Sequence, residues 1–303
     1  MSEPQSNLQR ILAAGHFSVS AEIGPPMSAD GEVVRKKARE LAGLVDAANI
    51  TDNQTAIVRM SSIAAAYLSL QEGVEPVVQA TCRDRNRIAL QSDLLGAWAL
   101  GLRNLLCLSG DHQAFGNHPQ SKNVFDIDSI QLIQGLRRMK EENLFLSGAP
   151  IKKPPAFFLG ATANPFADPV ELQIIRLQKK IAAGAQFIQT QAIYDLEKFA
   201  AWMAEVRKLG LHEKAYFLAG ILVNKSVKSI EMTKEVAGMD VPDSLVERMR
   251  NAAFPEEEGV KIALELIAEL KKIEGVRGIH IMAVGWESIV PSIIEKAGLL
   301  PRP

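Results

Sequence analysis

A single glutamate, Glu22, closes the apolar run Phe17-Ser-Val-Ser-Ala-Glu-Ile23 and stands immediately before Gly24-Pro25-Pro26. A carboxyl group at the end of a buried strand is partly desolvated, which raises its pKa and suits a general acid. A cap or a paired structural acid is the other reading of the same position. Asp111 follows Ser109-Gly110 at the end of a second apolar run. It can hydrogen-bond a ring donor of a ligand, or cap the loop that follows. Gln189 and Gln191 alternate in Phe187-Ile-Gln-Thr-Gln191 and so share one strand face. An inward amide is costly unless something satisfies it, which favours a ligand role for Gln191. Arg83, Arg85 and Arg87 interleave with Asp84 and Asn86. They could hold a phosphate or pair among themselves in an exposed loop. Lys179-Lys180 reads as a favourable charge at a helix end, and Trp286 as either a pocket wall or packing.

These groups need a scaffold, and Pro76 to Asp111 shows which one. Pro76 to Thr81 is a short β-branched run, and Asn86 to Leu100 carries Ala89, Leu90, Leu94, Ala97 and Trp98 on one helical stripe. Gly101 closes that helix and Asn104 to Leu108 starts the next strand. A βαβ unit implies parallel strands with helices outside. The same alternation extends along the chain and predicts eight strands and eight helices. A short helical lead-in precedes them over 1–15, and an extra helix over 240–253 precedes the last βα unit. Eight is the closing number of a (β/α)8 TIM barrel. A doubly wound sheet lacks support, because no GxGxxG turn follows the first strand. The polar loop 111–124 is long enough to serve as a lid or ligand loop.

If the barrel closes, its C-terminal rim gathers Glu22, Thr51-Asp52-Asn53, Gln79-Ala80-Thr81, Gly110-Asp111, Ala161 to Asn164, Gln189, Gln191, Leu222-Val223-Asn224 and Gly285-Trp286-Glu287. Amides and hydroxyls with an occasional acid suit a flat heterocycle rich in donors and acceptors, such as a pterin or an isoalloxazine. Among 303 residues, 34 basic and 35 acidic side chains nearly balance, so charge offers no case for nucleic acid or an anionic bilayer. Two cysteines, Cys82 and Cys107, are too few for a disulfide framework or a structural zinc site. No apolar run reaches spanning length and the N-terminus is polar, so no membrane association and a cytoplasmic location are expected.

Taken together, the segments AEIGPP, ATCRDRNRIALQSDLLGAWALGLRNLLCLSGD, GATANPFADP, KKIAAGAQFIQTQAIYD, AGILV and GIHIMAVGWESIVP resemble the methylenetetrahydrofolate reductase family across nearly the whole chain. The resemblance implies one catalytic barrel domain over 1–303 that holds a flavin. It implies hydride transfer from a donor, typically NAD(P)H, to methylenetetrahydrofolate, in one-carbon metabolism and methionine biosynthesis. By the same resemblance Glu22 is the catalytic acid, and Asp111 lies near the flavin and the pterin. Gln191, Asp111 and Leu222 bind substrate. Thr51, Thr81, Arg83, Gly110, Asn164 and Lys180, with Asp111, contact the cofactor.

Better-known bacterial members carry His at the position of Gln79, Arg at Ser109, Tyr at Asn164 and an acid at Gln173. An aromatic after the seventh strand is replaced near Val227. These departures point to FMN as well as FAD, and to a partner subunit as well as NAD(P)H as electron source. A pterin-binding methyltransferase barrel is the alternative of a different class. The chain is expected to lack the C-terminal regulatory domain of eukaryotic relatives, and to work as a homo-oligomer or as a subunit of an electron-transfer complex.

Overall fold

Eight short apolar runs, each followed by an amphipathic segment, close into a ring. The computed structural model describes residues 4–236 and 238–303. Its strands are β1 (Ser18–Ile23), β2 (Ala47–Ile50), β3 (Pro76–Thr81), β4 (Asn104–Leu108), β5 (Phe158–Ala163), β6 (Phe187–Ala192), β7 (Tyr216–Leu222) and β8 (Val276–Met282). They lie in chain order in a closed barrel, every neighbour parallel, with β8 returning to pair with β1. The TIM-barrel expectation therefore holds.

Helix α1 (Asn7–Ala13) precedes the barrel. Helices α2 (Glu32–Leu41), α3 (Ser62–Gln71), α4 (Arg87–Ala99), α5 (Ser129–Glu142), α6 (Val170–Ala183) and α7 (Leu196–Lys208) follow β1 to β6 in turn. Among the described residues, three helices separate β7 from β8: α8 (Val227–Lys234), α9 (Asp243–Asn251) and α10 (Pro255–Leu270). Of these, α9 is the extra helix the sequence predicts. Helix α11 (Val290–Lys296) follows β8.

Side-chain caps set several helix starts. Asn86 accepts from the backbone N–H groups of Ile88 and Ala89, and Asp128 forms a capping box with Gln131. Asp126, two residues before that cap, pairs with Arg87. Asp168 followed by Pro169 reads in sequence as a cap and a first-turn proline for α6; instead Pro169, in extended backbone, holds the N-cap position with no side-chain cap. Helix α8 ends at Lys234, earlier than the sequence pattern suggests, and the predicted end at Ala237 lies outside the described residues.

The barrel interior has two chemical layers, because alternate strand residues point inward. The lower layer is apolar: Ala47, Val77, Leu106, Phe158, Phe187 and Leu218 pack with Leu8 and Leu12 of α1, which plugs the N-terminal mouth. The Glu75 carboxylate fixes that plug by accepting from the backbone N–H groups of Asn7 and Leu8. Phe187 stacks on Phe158 with ring centroids 4.9 Å apart. It also fills the space beside Gly160, where a Cβ would stand 2.2 Å from its ring. Two residues further along several strands the inward positions become polar: Asn49, Gln79 and Gln189. Phe187→Ala removes the support beneath that polar layer and should cost roughly 3–5 kcal/mol. A fall in the urea unfolding midpoint at unchanged slope measures it.

Candidate active site at the barrel mouth

The polar layer floors a cavity of about 450 Å³ at the C-terminal ends of the strands. Glu22, Thr51, Thr81, Arg83, Gly110, Asp111, Asn164, Lys180 and Gln191 all line it, so closure of the ring brings together nine of the ten residues singled out from sequence. Leu222 is not in the lining. It packs half-buried against the main core, and its carbonyl accepts from the Tyr194 hydroxyl.

Glu22 sits on β1 with its side chain 11 % exposed. Burial pushes its carboxyl up to about 7 and the nearby Glu287 adds to the rise. A hydrogen bond to Gln54 and the charges of Lys37 and Arg59 oppose it. Glu287 is itself tied to Lys37 at 2.6 Å, which keeps that cation from neutralising Glu22 outright. The result is a carboxyl group that still holds its proton near neutrality, as an acid catalyst needs.

Across the floor, Asn49 of β2 and Gln189 of β6 exchange two amide hydrogen bonds of 2.7 and 3.1 Å. This closed pair explains how Gln189 is buried without cost. Gln191 behaves differently, although it lies two residues on. A register shift between Gln189 and Ala192 bulges β6 against β7. Thr190 holds the bulge by accepting from Gly220 N–H and donating to the Gln191 carbonyl. A bulge re-aims the side chain it carries, and the Gln191 amide stands exposed at the cavity mouth. The Thr51 hydroxyl lies buried in the cavity wall with no hydrogen-bond partner among the described residues.

The three arginines resolve in favour of pairing. Arg83 is buried and makes two hydrogen bonds to Asp84 and one each to the carbonyls of Asp111 and Asn53. Arg85 binds Asp52 and Asp93, and Arg87 binds Asp126. Arg83 therefore lines the cavity as a strut between the loops after β2 and β4. Asp52 completes the strut by accepting from the backbone and hydroxyl of Thr81, both at 2.9 Å, and from Arg85. Gly110, at φ +93°, lies against Arg83 and Thr81 where a Cβ would come within 3.0 and 3.2 Å. The Asp111 carboxylate accepts from Thr55 N–H, so it caps the neighbouring loop while facing the cavity. Beyond Asp111, the long loop packs on residues 56–58 through Gly116 and Asn117 and does not line the cavity.

On the opposite flank, Lys180 turns inward rather than simply ending a helix. Its ammonium donates to the Thr162 carbonyl at 2.6 Å, and burial lowers its pKa to about 8, with Arg176 adding to the shift. Arg176 lies one helical turn away on the same cavity wall, and no carboxylate pairs with it among the described residues. Asn164 caps the following turn by accepting from Phe166 N–H. Sequence reading missed Arg176, the Asn49 partner of Gln189, and His280. The last was detectable as a histidine at an inward position of β8, two residues before Met282.

The methylenetetrahydrofolate reductase family model matches residues 7–298. The chain belongs to the methylenetetrahydrofolate reductase family. Methylenetetrahydrofolate reductase 2 of Schizosaccharomyces pombe is 27 % identical over 247 residues, covering 78 % of this chain and 38 % of the yeast protein. A probable methylenetetrahydrofolate reductase (NADPH) of Caenorhabditis elegans is 24 % identical, covering 82 % and 36 %. The 5,10-methylenetetrahydrofolate reductase of Pectobacterium carotovorum is 23 % identical, covering 76 % and 72 %. The chain thus spans well under half of the two eukaryotic reductases.

Among solved structures, an uncharacterized protein from Clostridium thermocellum that binds two copies of 5-methyl-5,6,7,8-tetrahydrofolic acid has the same barrel fold. Its TM-score is 0.68 at 15 % identity, covering 97 % of this chain and all of that one. A riboflavin lyase shares the barrel more distantly, with a TM-score of 0.58 at 7 % identity. No helix among the described residues is long and apolar enough to cross a membrane.

Proposed function

We propose that this barrel is a single catalytic domain that reduces 5,10-methylenetetrahydrofolate to 5-methyltetrahydrofolate with Glu22 as the general acid. The observation that carries the reading is a buried carboxyl group held at about 7 inside a cavity whose lining includes the amides and hydroxyls of Asn49, Gln79, Gln191, Thr51 and Thr81. Glu22 gives its proton to the ring nitrogen whose bond to the bridging methylene breaks. The bonding electron pair stays on that nitrogen and the methylene carbon becomes an iminium, open to hydride. Hydride added to that carbon makes the methyl group, and the proton remains on the released nitrogen. Gln191, free at the mouth, and Asp111 supply amide and carboxylate partners for the pterin ring.

The residues present also fit a flavin nucleotide. The unpartnered Thr51 hydroxyl offers a hydrogen bond to a ring edge, and Arg176 with Lys180 form a cationic flank for a phosphate. Bound there, flavin supplies the hydride, with NAD(P)H or a partner protein as electron source. Thr81, Gly110 and Asn164 shape the wall around it, while Arg83 acts by holding two loops in place. Charge gives no role to nucleic acid.

The test is methyltetrahydrofolate formation by the purified chain supplied with flavin and either NAD(P)H or an artificial reductant. Product must form in at least one arm. Absence of product in every arm, with methyl transfer to a corrinoid acceptor instead, would establish a methyltransferase. A narrower prediction concerns the flank. Arg176→Ala with Lys180→Met should weaken FMN binding by about ten- to a hundredfold and leave riboflavin binding nearly unchanged, because only the phosphate contact is lost. Flavin fluorescence titration reads both.

A further inference from the structure

The turn that follows the acid cannot pair its own backbone. Pro25 and Pro26 carry no N–H, and the carbonyls of Gly24, Pro25 and Pro26 all accept from donors elsewhere in the chain. Lys37 of α2 reaches the Gly24 carbonyl with its Nζ at 3.2 Å. Arg59 Nη1 donates to the Pro25 carbonyl at 3.1 Å, and Met60 N–H to the Pro26 carbonyl at 2.9 Å, both from the segment just before α3. The turn beyond Glu22 is thereby fixed, but two of its three clamps are cations, and a nearby cation favours a carboxylate over the acid. One of the two is matched. Glu287 opens the short turn Glu287–Ile289 after β8 and binds Lys37 Nζ at 2.6 Å, with both side chains partly buried. Its Oε1 stands 3.9 Å from where a Cβ on Gly24 would lie, so the carboxylate sits over the backbone of this turn. Neither Lys37 nor Glu287 lines the cavity.

We propose that Glu287 is a positioning residue that offsets the charge of Lys37, so that Lys37 can hold the turn behind Glu22 as a cation while the acid keeps its proton. This deepens the reductase reading and rests on it for its catalytic meaning. An ammonium has three donors, and here it meets two acceptors on different elements, which ties the end of β1 to α2 and to the loop after β8. Left unopposed, the same ammonium would draw Glu22 toward the carboxylate. Among the charges that act on Glu22, Glu287 favours the protonated form, and Lys37 and then Arg59 oppose it more weakly. The remaining groups facing Glu22 are the Gln54 amide, from the loop after β2, and the His280 imidazole of β8, whose Nε2 lies 4.0 Å from the carboxyl group. Burial lowers the imidazole pKa to about 4, so at neutral pH it adds no charge. Among the described residues, neither Gln54 nor His280 hydrogen-bonds Lys37 or Glu287, so changing the pair leaves both in place.

The experiment needs neither folate nor flavin, so its failure is distinct from failure of the reductase reading. The Glu22 carboxyl titration is read as the infrared difference between each protein and the same protein carrying Glu22→Gln. In Glu287→Gln the two cations stand unopposed, and the Glu22 midpoint should fall by about one pH unit. In Lys37→Met the Glu287 carboxylate loses its partner, and the midpoint should rise by about half a unit. The double variant removes one charge of each sign and should titrate close to the native protein. With activity in hand, the high-pH limb of folate reduction should move with the midpoint in each variant. An ion pair kept only for structure predicts instead a loss of stability in all three variants with the Glu22 midpoint unmoved. A midpoint that stays in place in either single variant, or a double variant displaced as far as Glu287→Gln alone, overturns the proposal. Should Glu287→Gln fail to fold, Lys37→Met decides by itself, since a midpoint that does not rise there is equally fatal.

Discussion

Glu22→Gln is expected to lower methylenetetrahydrofolate reduction roughly a thousandfold, the scale of losing a positioned general acid, while reduction of a bound flavin by its donor stays nearly intact. Only the folate half of the reaction calls for a proton from the protein. A second readout separates an acid kept for chemistry from one kept for structure. The Glu22 carboxyl is held at about 7 in the folded chain against a reference of 4.5, chiefly by burial. The folded state thus binds this proton more tightly than the unfolded state does. Its stability then declines as pH rises from about 4.5 through 7, and the full penalty remains above that window. Glutamine carries no such penalty. The variant should therefore be more stable than the native chain by on the order of 1–3 kcal/mol at about pH 8 and no more stable at about pH 4. Urea unfolding at the two pH values measures this. A structural, ion-paired glutamate predicts the opposite sign at the higher pH. For the same reason, turnover limited by the folate half-reaction should decline as pH rises through about 7.

Asp52→Ala is expected to be the most damaging change in the rim, at roughly 3–5 kcal/mol. The side chain is buried and accepts from Thr81 N–H, Thr81 Oγ1 and both terminal nitrogens of Arg85. Removing it strands two buried donors on β3 and leaves Arg85 with only the more exposed Asp93. Asp52→Asn keeps the shape and one acceptor oxygen, and should cost about half as much. Both variants loosen the strand end that carries Thr51, so flavin affinity should fall along with stability. Thermal or urea unfolding combined with flavin titration checks the pair. Equal stability of Asp52→Ala and native protein would remove Asp52 from the account of how the mouth is built.

The wall of the site also shows a division of labour among charges. Arginine is the obvious phosphate ligand in the segment Arg83 to Arg87, yet each of its guanidinium groups is matched to a carboxylate. The cations left for an anionic ligand come from the side of α6, where Arg176 and Lys180 share a face one turn apart. Such an arrangement keeps the rigid, multiply bonded arginines for holding loops. It leaves one exposed guanidinium and one partly desolvated ammonium on the cavity wall without a carboxylate partner among the described residues.

Much of this protein is written locally in its chain. The alternation of β-branched runs with helical stripes sets eight strands and their helices, because side-chain periodicity is a property of neighbouring residues. The eightfold count then predicts closure, and closure puts Glu22, Thr51, Thr81 and Asp111 at one mouth. What depended on the folded molecule is each group's state and partner. Asn49 and Gln189 are 140 residues apart, and nothing local marks them as a closed pair. Gln191 is turned to the mouth by a bulge held from β7. The proton on Glu22 is kept by burial and by Glu287, both supplied by distant segments. Whether Arg83 or Lys180 meets a ligand depends on which carboxylates the fold brings to each, and Leu222 misses the wall though it ends a strand as expected. Sequence spacing determines which face a residue occupies, whereas desolvation and pairing arise from groups that only the closed barrel brings within a few ångströms of one another.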